Sequence, residues 1–583
     1  MVNSWKILLL TSLLLFFLTA CVNSSEGKQQ NELIQSLQTD KSHYPPGSKV
    51  TFTAKFKGSS YGKMEVTYKH LDKTIETKSI YIDDKTYQWT WTPPKENGKG
   101  YLAMITYETN DSSDKKTIAV DVSKDWTQFP RYGFLSDFSP KSKAEIDSIL
   151  DELNRYHLNG IQFNNWAYKH HQPLKGTAKK PDKQWKNIAN QNVALKTIKT
   201  SIQSAQLRNM NTMANNLLYG AESQAKKQGI QIRWRLYSNP ERTAYASHNS
   251  PDDWRSDLYV LNPFHEGWQD YIIENQKQAM DTLGFDGWHV DQLGDKSPVY
   301  NFAATKISLE PSYEPFLNKA KEQINNDLVM NAVDQYGQEY ISKTPVDFLY
   351  SEVQDPNSNY SKLKQIIDEN NELTYHQKNT VLAAYMNSNL SNRKGSFNTP
   401  GVLLTNSVIF ASGGAHLELG EHMLSKEYFP HNKLKMDKQL KESLINYYDF
   451  LTAYENLLRD RMKASELKLV NKSTTKLSQK PTKGKVWVFS KGKENKKVLH
   501  LLNFTNVKHM NWQDTNGTQT EPKAQRNLPV SLKESLDVNK IWYASPDFNG
   551  GAPASLSFKQ KNNKLTFKVP RLKYWDMVVI EYK

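Results

Sequence analysis

Apolar and polar residues alternate along a series of short segments between residues 32 and 124. Examples are KVTFTAKF, KMEVTYKHL and KTIAVDV, and turn-forming sequences such as PPGS and TPPKENGKG separate them. A period of two predicts half-buried strands, and short strands at intervals of about 8 to 15 residues are typical of an immunoglobulin-like sandwich. We therefore predict an N-terminal immunoglobulin-like β-sandwich over residues 32–124.

The pattern changes between residues 125 and 460, where apolar bursts alternate with amphipathic stretches such as KAEIDSILDELNRYH. This alternation is typical of βα units, and eight bursts predict a (β/α)8 TIM barrel with enlarged loops. A doubly wound open sheet is the alternative, but the Gly-rich turn that usually follows its first strand is replaced by LSDFSP. The predicted barrel strands are residues 131–137, 159–165, 210–216, 284–291, 327–333, 346–352, 380–387 and 402–410.

Alternating segments return between residues 461 and 583, among them KVWVFSKG, KKVLHLLNFT and YWDMVVIEY. Turns such as NGG and KGKEN separate them, which predicts an antiparallel β-domain. The predicted fold class is multidomain α/β + β. A central TIM barrel is flanked by an N-terminal immunoglobulin-like β-sandwich and a C-terminal antiparallel β-sandwich.

The first 21 residues have the layout of a secretory signal. ILLLTSLLLFFL is an apolar run of 12 residues, shorter than the roughly 20 residues of a membrane span. The segment LTAC, which ends at Cys21, resembles the lipobox of a bacterial lipoprotein, where Cys21 becomes the lipidated N-terminus. We expect a lipoprotein signal over residues 1–21, a flexible tether over 22–31 and an extracytoplasmic, membrane-anchored protein, with an ordinary secretory signal as the alternative.

The charged and aromatic residues narrow the range of partners. Lys and Arg number 76 against 61 Asp and Glu, a net charge of +15, but they are spread along the chain. Because there is no basic helix, RNA-binding motif or zinc-finger motif, we expect no nucleic-acid partner. Cys21 is the sole cysteine, so no disulfide can form within the mature chain, and the size of its apolar cores must stabilise it. We expect the protein to be a monomer.

Polar and acidic residues end or follow most of the predicted barrel strands. Because the active site of a TIM barrel lies at the carboxyl ends of its strands, these residues are predicted to share one rim. The rim holds acids and amides, with no obvious serine nucleophile and no free cysteine. Its members are Asp137, Asn164, Asn165, Trp166, Asn215, Asn216, Asp291, Asp334, Glu352, Tyr385, Asn387, His416 and Glu418.

Two acids of this rim, Asp291 and Glu352, stand on strands that are two apart. In DGWHVD, Asp291 occupies the last strand position and shares a face with His289, whereas Asp286 lies at the beginning of the strand. Two such carboxyl groups can converge to about 5.5 Å, the separation in a retaining glycoside hydrolase, with one nucleophile and one acid/base. A lone acid at a strand end often only fixes a loop, so the residues alone leave both interpretations open.

Several segments resemble glycoside hydrolase family 66, which contains bacterial endo-dextranases and cycloisomaltooligosaccharide glucanotransferases. They are RYGFLSDF, GIQFNNWAYKHHQPL, DGWHVDQLGD, FLYSEVQ and ASGGAHLELGEHMLSKEYFP. The resemblance implies retaining endo-hydrolysis of α-1,6-glucosidic linkages in dextran, giving isomaltooligosaccharides through a covalent glucosyl-enzyme, with no cofactor and no metal. It places the nucleophile at Asp291 and the acid/base at Glu352.

The resemblance also implies a set of substrate-binding residues. One position departs from the family pattern, since Asn165 stands in FNNWAYKHH, a segment in which members often carry an aspartate. Cyclising members carry a carbohydrate-binding insertion late in the barrel, and the interval between residues 387 and 402 is too short to hold one, so hydrolysis is favoured over cyclisation. The expected substrate-binding residues are Asp137, Asn165, Trp166, Tyr168, His170, Asn216, His289, Gln292 and Glu418.

Two other functions remain open at this point. HLELGEH, residues 416–422, offers two His and two Glu side chains to a metal hydrolase, but its glycine and the preceding SGG place it on a strand or loop rather than on the helix of the zincin pattern. The second alternative is a non-catalytic surface lipoprotein that captures glucan, which would leave the chain length of dextran unchanged.

Overall fold

The computed structural model describes residues 29–30, 32–57, 61–223, 225–354, 358–427, 430–470 and 476–583. The predicted signal over residues 1–21, with Cys21, and most of the predicted tether lie outside the described residues. Among the helices of the described residues, none has the length and apolar character needed to cross a membrane.

Eight parallel strands form a barrel within the described part of the chain, as the alternation of apolar bursts and helices predicts. The sheet closes where Phe134 of the first strand pairs with Gly420, just after the eighth strand, and the Phe134 amide donates to Leu419 O (3.1 Å). The strands are β1 (Tyr132–Leu135), β2 (Gly160–Phe163), β3 (Asn211–Leu217), β4 (Gly287–Asp291), β5 (Asp327–Val333), β6 (Leu349–Glu352), β7 (Thr380–Ala383) and β8 (Gly414–Leu417).

Helices alternate with these strands, and their ends carry the expected capping residues. Ser142 and Glu145 form a capping box at the start of the first helix, and the third helix ends at Gly284, whose φ of 92° is left-handed. The helices are α1 (Lys143–Arg155), α2 (Leu195–Leu207), α3 (Glu266–Leu283), α4 (Tyr313–Ile324), α5 (Gln338–Ile341), α6 (Tyr360–Leu373), α7 (Thr399–Ser412), α8 (Lys438–Ala453) and α9 (Glu455–Leu458).

The predicted eighth strand, residues 402–410, is wrong, because this segment lies inside α7. Nearly every residue of α7 is buried, so its sequence has no polar face, and periodicity cannot distinguish a buried strand from a buried helix. The helix signals are at its ends, where Asn398 caps the first turn, Pro400 follows, and Gly413 takes a left-handed φ of 99°. The eighth strand is instead Gly414–Leu417, which contains His416.

Two antiparallel sheets precede the barrel and share one apolar core, which includes Phe52, Tyr68 and Trp91. Tyr68 and Trp91 stack at 4.2 Å between ring centroids. One sheet contains Ile34–Thr39, Val50–Phe56 and Thr86–Trp91. The other contains Gly62–His70, Lys73–Ile82, Lys99–Glu108 and Ser112–Val122, with Gln29–Gln30 added in parallel.

Two further sheets follow the barrel and enclose a separate apolar core that includes Val488, Leu501 and Phe567. The larger sheet contains Lys463–Ala464, Leu477–Ser478, Val486–Lys493, Lys496–Asn503, Val538–Ala544, Ala554–Ser555 and Trp575–Tyr582. The smaller contains Gln525–Lys533, Phe558–Lys561 and Lys564–Leu572.

A buried ionic cluster fixes the N-terminal sheets to the base of the barrel. Arg131, just before β1, contacts Asp121 at 2.6 Å and Glu455 at 3.1 Å, and all three side chains are inaccessible to solvent. Asp449 of α8 accepts a hydrogen bond from the backbone of Ala119 (2.9 Å). Since removing one partner of a buried ion pair leaves an uncompensated charge, this cluster has a structural role, at the opposite end from the carboxyl ends of the strands.

Candidate active site

A cavity of about 350 Å³ opens at the carboxyl ends of the barrel strands, where a TIM barrel carries its chemistry. Its walls come from β2 through β8 and from the loops that follow them. Amides and carboxyl groups line the floor, and the volume is in the range of small-molecule sites. Asp291 and Glu352 both face this cavity.

One amide group holds the two acids together. Asp291 ends β4, Glu352 ends β6, and Asn331 lies on β5 between them. Asn331 Nδ2 donates to Asp291 Oδ1 at 3.1 Å and to Glu352 Oε2 at 3.0 Å. Those two oxygens therefore lie at most 6.1 Å apart, the sum of the two distances. This limit is below the roughly 6.5–9.5 Å range of inverting glycosidases and admits the roughly 5–5.5 Å of retaining ones.

Asp291 is surrounded by hydrogen-bond donors. Besides Asn331, Asn215 Nδ2 donates to Oδ2 at 3.2 Å and the backbone N–H of Gln292 donates to Oδ1 at 2.9 Å. Because an ionised carboxylate only accepts hydrogen bonds, a shell of N–H donors suits the charged form. The strand end thus presents Asp291 as an oriented carboxyl group facing the cavity.

Glu352 is in a different environment, in which its proton is retained. The pKa of Glu352 is raised to about 8, first by burial and then by the neighbouring carboxyl groups of Glu427 and Asp291. Hydrogen bonds from Asn331 and Gln354 act in the opposite direction. Near neutral pH the site therefore combines a protonated glutamic acid with a hydrogen-bonded aspartate.

One wall of the cavity comes from an insertion between β3 and α3. His248 and Trp254 of this insertion face the cavity, as does Lys296 from the loop after β4. Lys296 Nζ lies 2.9 Å from His248 Nδ1, and burial lowers the pKa of both groups. The insertion contains a small antiparallel sheet of Gly220–Glu222, Ser247–His248 and Leu258–Val260.

Three of the predicted substrate-binding residues line the cavity: Asn165, His170 and Gln292. Asn165 has a left-handed φ of 57°, and its buried Nδ2 has no partner among the described residues. His170 Nδ1 lies 2.8 Å from Asn216 Oδ1, and burial lowers its pKa, so the ring is neutral near pH 7. These side chains can offer donors and acceptors to the hydroxyl groups of a ligand.

Three further predicted residues lie behind the wall. Trp166 is fully buried and donates from its indole to Asn215 O (3.0 Å). Asn216 is fully buried and donates to Gln276 Oε1 (3.0 Å). Neither side chain lines the cavity, but each is hydrogen-bonded to a residue that does. Trp166 bonds to Asn215, and Asn216 bonds to His170. His289 lies below the floor on β4, where it stacks on Tyr132 and burial lowers its pKa to about 4.

The structure places the remaining predicted residues away from the cavity lining. The guanidinium group of Arg255 lies over the ring of Tyr168, with its Cζ 5.3 Å from the ring centroid. Asp137 pairs with Lys141 at 2.6 Å in a neighbouring depression on the same face of the barrel. Glu418 is buried beside α7 and α8, where it accepts from Asn406 (2.7 Å) and Tyr448 (3.1 Å).

The segment HLELGEH does not bring its four side chains to one point. His416 Nδ1 and Glu418 Oε2 lie 3.4 Å apart, whereas Glu421 accepts from the backbone N–H and the hydroxyl of Ser136, the residue after β1. His422 packs edge-on against Phe134. Within the described residues, no group of three His, Cys, Asp or Glu side chains is arranged to hold a metal ion.

Comparison with known families agrees with this geometry. The sequence model of Glycosyl hydrolase family 66 matches residues 39–579, which is most of the chain. The chain belongs to glycosyl hydrolase family 66. Membership of family 66 makes it a glycosidase or a related transglycosylase.

Relatives within family 66 include both kinds of enzyme. A cycloisomaltooligosaccharide glucanotransferase of Niallia circulans is 25% identical over 708 residues, covering 94% of this chain and 72% of the relative. A dextranase of Streptococcus salivarius is 25% identical over 568 residues, covering 83% and 68%. The solved structure of a Paenibacillus sp. cycloisomaltooligosaccharide glucanotransferase in complex with cycloisomaltoheptaose superposes with a TM-score of 0.87 at 25% identity, covering 94% of this chain and 99% of that one.

Among the side chains of this family 66 site that were not predicted from the sequence, Asn331, Gln354 and Glu427 lie next to the two acids. Asn331 lies within the apolar burst DLVMNAV, and a polar residue inside such a strand is a usable signal. Gln354 follows Glu352 by two residues, the spacing of side chains on one face of an extended chain. Glu427 belongs to an irregular loop, and no periodicity marks it.

Proposed function

We propose that this family 66 protein is a retaining endo-dextranase, which hydrolyses α-1,6-glucosidic linkages and releases linear isomaltooligosaccharides. Asp291 is the nucleophile and Glu352 is the acid/base. The observation that carries the proposal is the bridge formed by Asn331, which keeps Asp291 Oδ1 and Glu352 Oε2 at most 6.1 Å apart. The raised pKa of Glu352 supports the same division of roles, because a general acid must hold its proton near the working pH.

The two half-reactions follow from these positions. Asp291 attacks the anomeric carbon, the glycosidic C–O bond breaks, and the proton of Glu352 passes to the leaving oxygen, which gives a glucosyl ester and a shorter chain. Glu352, now ionised, then takes a proton from water as the water oxygen attacks the anomeric carbon and releases Asp291. Two inversions give net retention.

Cyclisation is the second candidate, because the glucanotransferase relatives cover more of this chain than the dextranase does. It would differ only in the acceptor, since a sugar hydroxyl at the other end of the same chain would replace water. Two observations favour hydrolysis. Between β7 and β8 this chain carries α7 and short connections, and no inserted domain is present in that described stretch. The alignment with the glucanotransferase also spans 708 positions against 583 residues here, so that relative carries segments without a counterpart.

The place of action is a further part of the proposal. Cleavage before Cys21 and lipidation of its thiol would anchor the protein to the outer face of the cell membrane, with dextran as its substrate. LTAC at the end of an apolar run supports this, together with the absence of any other cysteine. A Cys21→Ala variant is expected to appear in the culture medium, whereas retention of that variant in the membrane fraction would contradict the anchor.

Dextran digestion tests the enzymatic proposal directly. The wild type, Asp291→Asn and Glu352→Gln are incubated with dextran, product size is followed over time, and the anomer formed first is read by proton NMR. Rapid shortening to linear products of α-configuration, lost in both folded variants, is the expected result. Cyclic products would move the protein to the glucanotransferases. Dextran that binds but keeps its length would leave a glucan-capturing protein.

A further inference from the structure

Glu427 brings a third carboxyl group into the cavity beside Asp291 and Glu352. It lies on the loop after β8 and is half-buried. Gln354 Nε2 donates to Glu352 Oε1 at 3.0 Å and to Glu427 Oε2 at 3.1 Å, so those oxygens are at most 6.1 Å apart. The amide of Gln354 thus holds the carboxyl groups of Glu352 and Glu427 next to each other at the cavity wall. Two ionised carboxylates held this close repel each other, and a proton on one of them removes that repulsion.

We propose that Glu427 is a positioning residue, which shares one proton with Glu352 and keeps Glu352 as the proton donor at the pH of the reaction. This inference rests on the proposed function of Glu352 as acid/base. Glu427 does not need to touch the scissile bond. Its ionised form repels a second negative charge on Glu352, and its oxygen orients the acid. Two carboxyl groups that share a proton are a known way to hold one of them protonated.

The charges around the pair favour this arrangement. Burial raises the pKa of Glu352 first, and Glu427 follows as the next cause, ahead of Asp291. Burial likewise raises the pKa of Glu427, and the charge of Lys426 acts to lower it. Tyr350 and Tyr385 also face Glu352, but burial raises the pKa of both phenols well above 10, so they stay neutral. The pair therefore titrates as a unit, in two macroscopic steps.

The pair also explains how one residue can serve both half-reactions. When Glu352 gives its proton to the leaving oxygen, it becomes a carboxylate beside the ionised Glu427. The repulsion between them makes Glu352 a stronger base toward the water that enters next. An acid/base works best with a pKa close to the working pH, and Glu427 moves Glu352 in that direction.

The test uses three single variants of the full chain and the alkaline limb of kcat/KM for dextran. Glu427→Gln keeps the shape and removes the charge, so this limb should move to lower pH by about one unit, a tenfold change in proton affinity. Gln354→Met removes a donor that favours ionised Glu352, so the limb should move to higher pH. Glu421→Gln changes a glutamate of the same loop that bonds to Ser136 and not to Glu352, and the limb should stay in place.

A second substrate separates proton donation from binding. Fluoride leaves without being protonated, so turnover of α-isomaltotriosyl fluoride in its glycosylation step should be unaffected by Glu427→Gln at pH 8. An equal loss on dextran and on the fluoride would overturn the proposal and make Glu427 a residue that binds sugar or holds the loop. An unmoved or upward-shifted limb in Glu427→Gln would overturn it as well.

An infrared measurement tests the pair independently of any activity. The C=O stretch of protonated Glu352 is isolated as the difference between wild type and Glu352→Gln, and its loss is followed with pH. Glu427→Gln should lose this band at lower pH than the wild type. If the wild type cleaves no dextran, the proposed function fails, while the infrared shift still decides whether Glu427 holds the proton on Glu352.

Discussion

Glu352 and Glu418 are two buried glutamates at the carboxyl ends of barrel strands, and the pKa of each is raised to about 8, with burial as the first cause. Their surroundings differ. Glu352 lines the cavity with Asp291 and Glu427, whereas Glu418 lies among α7, α8 and the end of β8, with Asn406 and Tyr448 as donors. A retained proton therefore does not identify a catalytic acid by itself, because access and an opposing nucleophile are also needed.

Each of the two glutamates accepts a hydrogen bond from an asparagine side chain. Asn331 donates to two carboxyl groups that face the cavity. Asn406 donates to Glu418 at 2.7 Å through Nδ2, and its Oδ1 lies 2.7 Å from His416 Nδ1. Burial lowers the pKa of His416 to about 4, so His416 and Glu418 form a neutral pair at pH 7. Similar hydrogen bonds therefore support the proposed reaction around Glu352 and the packing of α7 and α8 around Glu418.

The largest difference should appear when each glutamate is replaced by glutamine. Glu352→Gln removes the proton donor, and we expect kcat/KM on dextran to fall roughly 10³-fold, within the range that general acid–base catalysis supplies. Glu418→Gln keeps an oxygen that can accept from Asn406 and Tyr448, so its kcat/KM should stay close to that of the wild type. A comparable loss in Glu418→Gln, with the fold intact by circular dichroism, would remove the distinction between the two regions.

The two amides should separate in the same way, with smaller effects. Asn331→Ala removes the donor shared by Asp291 and Glu352, and we expect kcat to fall roughly tenfold to hundredfold, as for loss of one oriented donor. Asn406→Ala leaves Glu418 and His416 without their shared partner in a buried place, which should lower Tm and leave the kcat of the folded enzyme nearly unchanged. A drop in kcat for both variants would show that the Glu418 cluster acts on the site.

The sequence predicts the barrel and its two acids because both have local signals. Strand bursts alternate with capped helices, and Asp291 and Glu352 hold terminal strand positions that topology brings to one rim. The eighth strand is predicted at the wrong place because α7 is apolar on all sides. Its sequence therefore shows neither the period of a helix nor that of a strand. Here the decisive residues were the caps Asn398 and Gly413 rather than the apolar run.

Side-chain orientation limits the prediction of the rest of the site. Trp166 and Glu418 occupy the predicted rim in sequence, yet their side chains point into the packing behind it. Glu427 and the wall residue His248 come from long connections whose path depends on tertiary contacts. Strand position therefore indicates which end of the barrel a residue occupies, but whether it meets the ligand depends on neighbouring helices and loops.

The pH dependence of activity should also distinguish Glu352 from Glu418. Glu352 must be protonated for the first half-reaction, and its pKa is raised to about 8, so kcat/KM on dextran should fall as pH rises through about 8. The same limb should be absent for α-isomaltotriosyl fluoride, whose leaving group needs no proton. It should remain in Glu418→Gln, although Glu418 has a similar pKa, because that group is outside the reaction. An alkaline limb that disappears in Glu418→Gln would reassign the titration to the packed cluster.

The smallest effect concerns stability and belongs to Glu418. Its pKa is near 4.5 in the unfolded chain and about 8 in the folded one, so between these values the folded state holds a proton that the unfolded state has lost. Raising the pH through this window therefore lowers the free energy of unfolding, and the contribution is fully present only below about 4.5. Glu418→Gln does not titrate, so its Tm should gain a few degrees on the wild type between pH 5 and pH 8. A Tm difference that is constant over this range would mean that Glu418 has the same proton affinity in both states, and the similarity to Glu352 would then be lost.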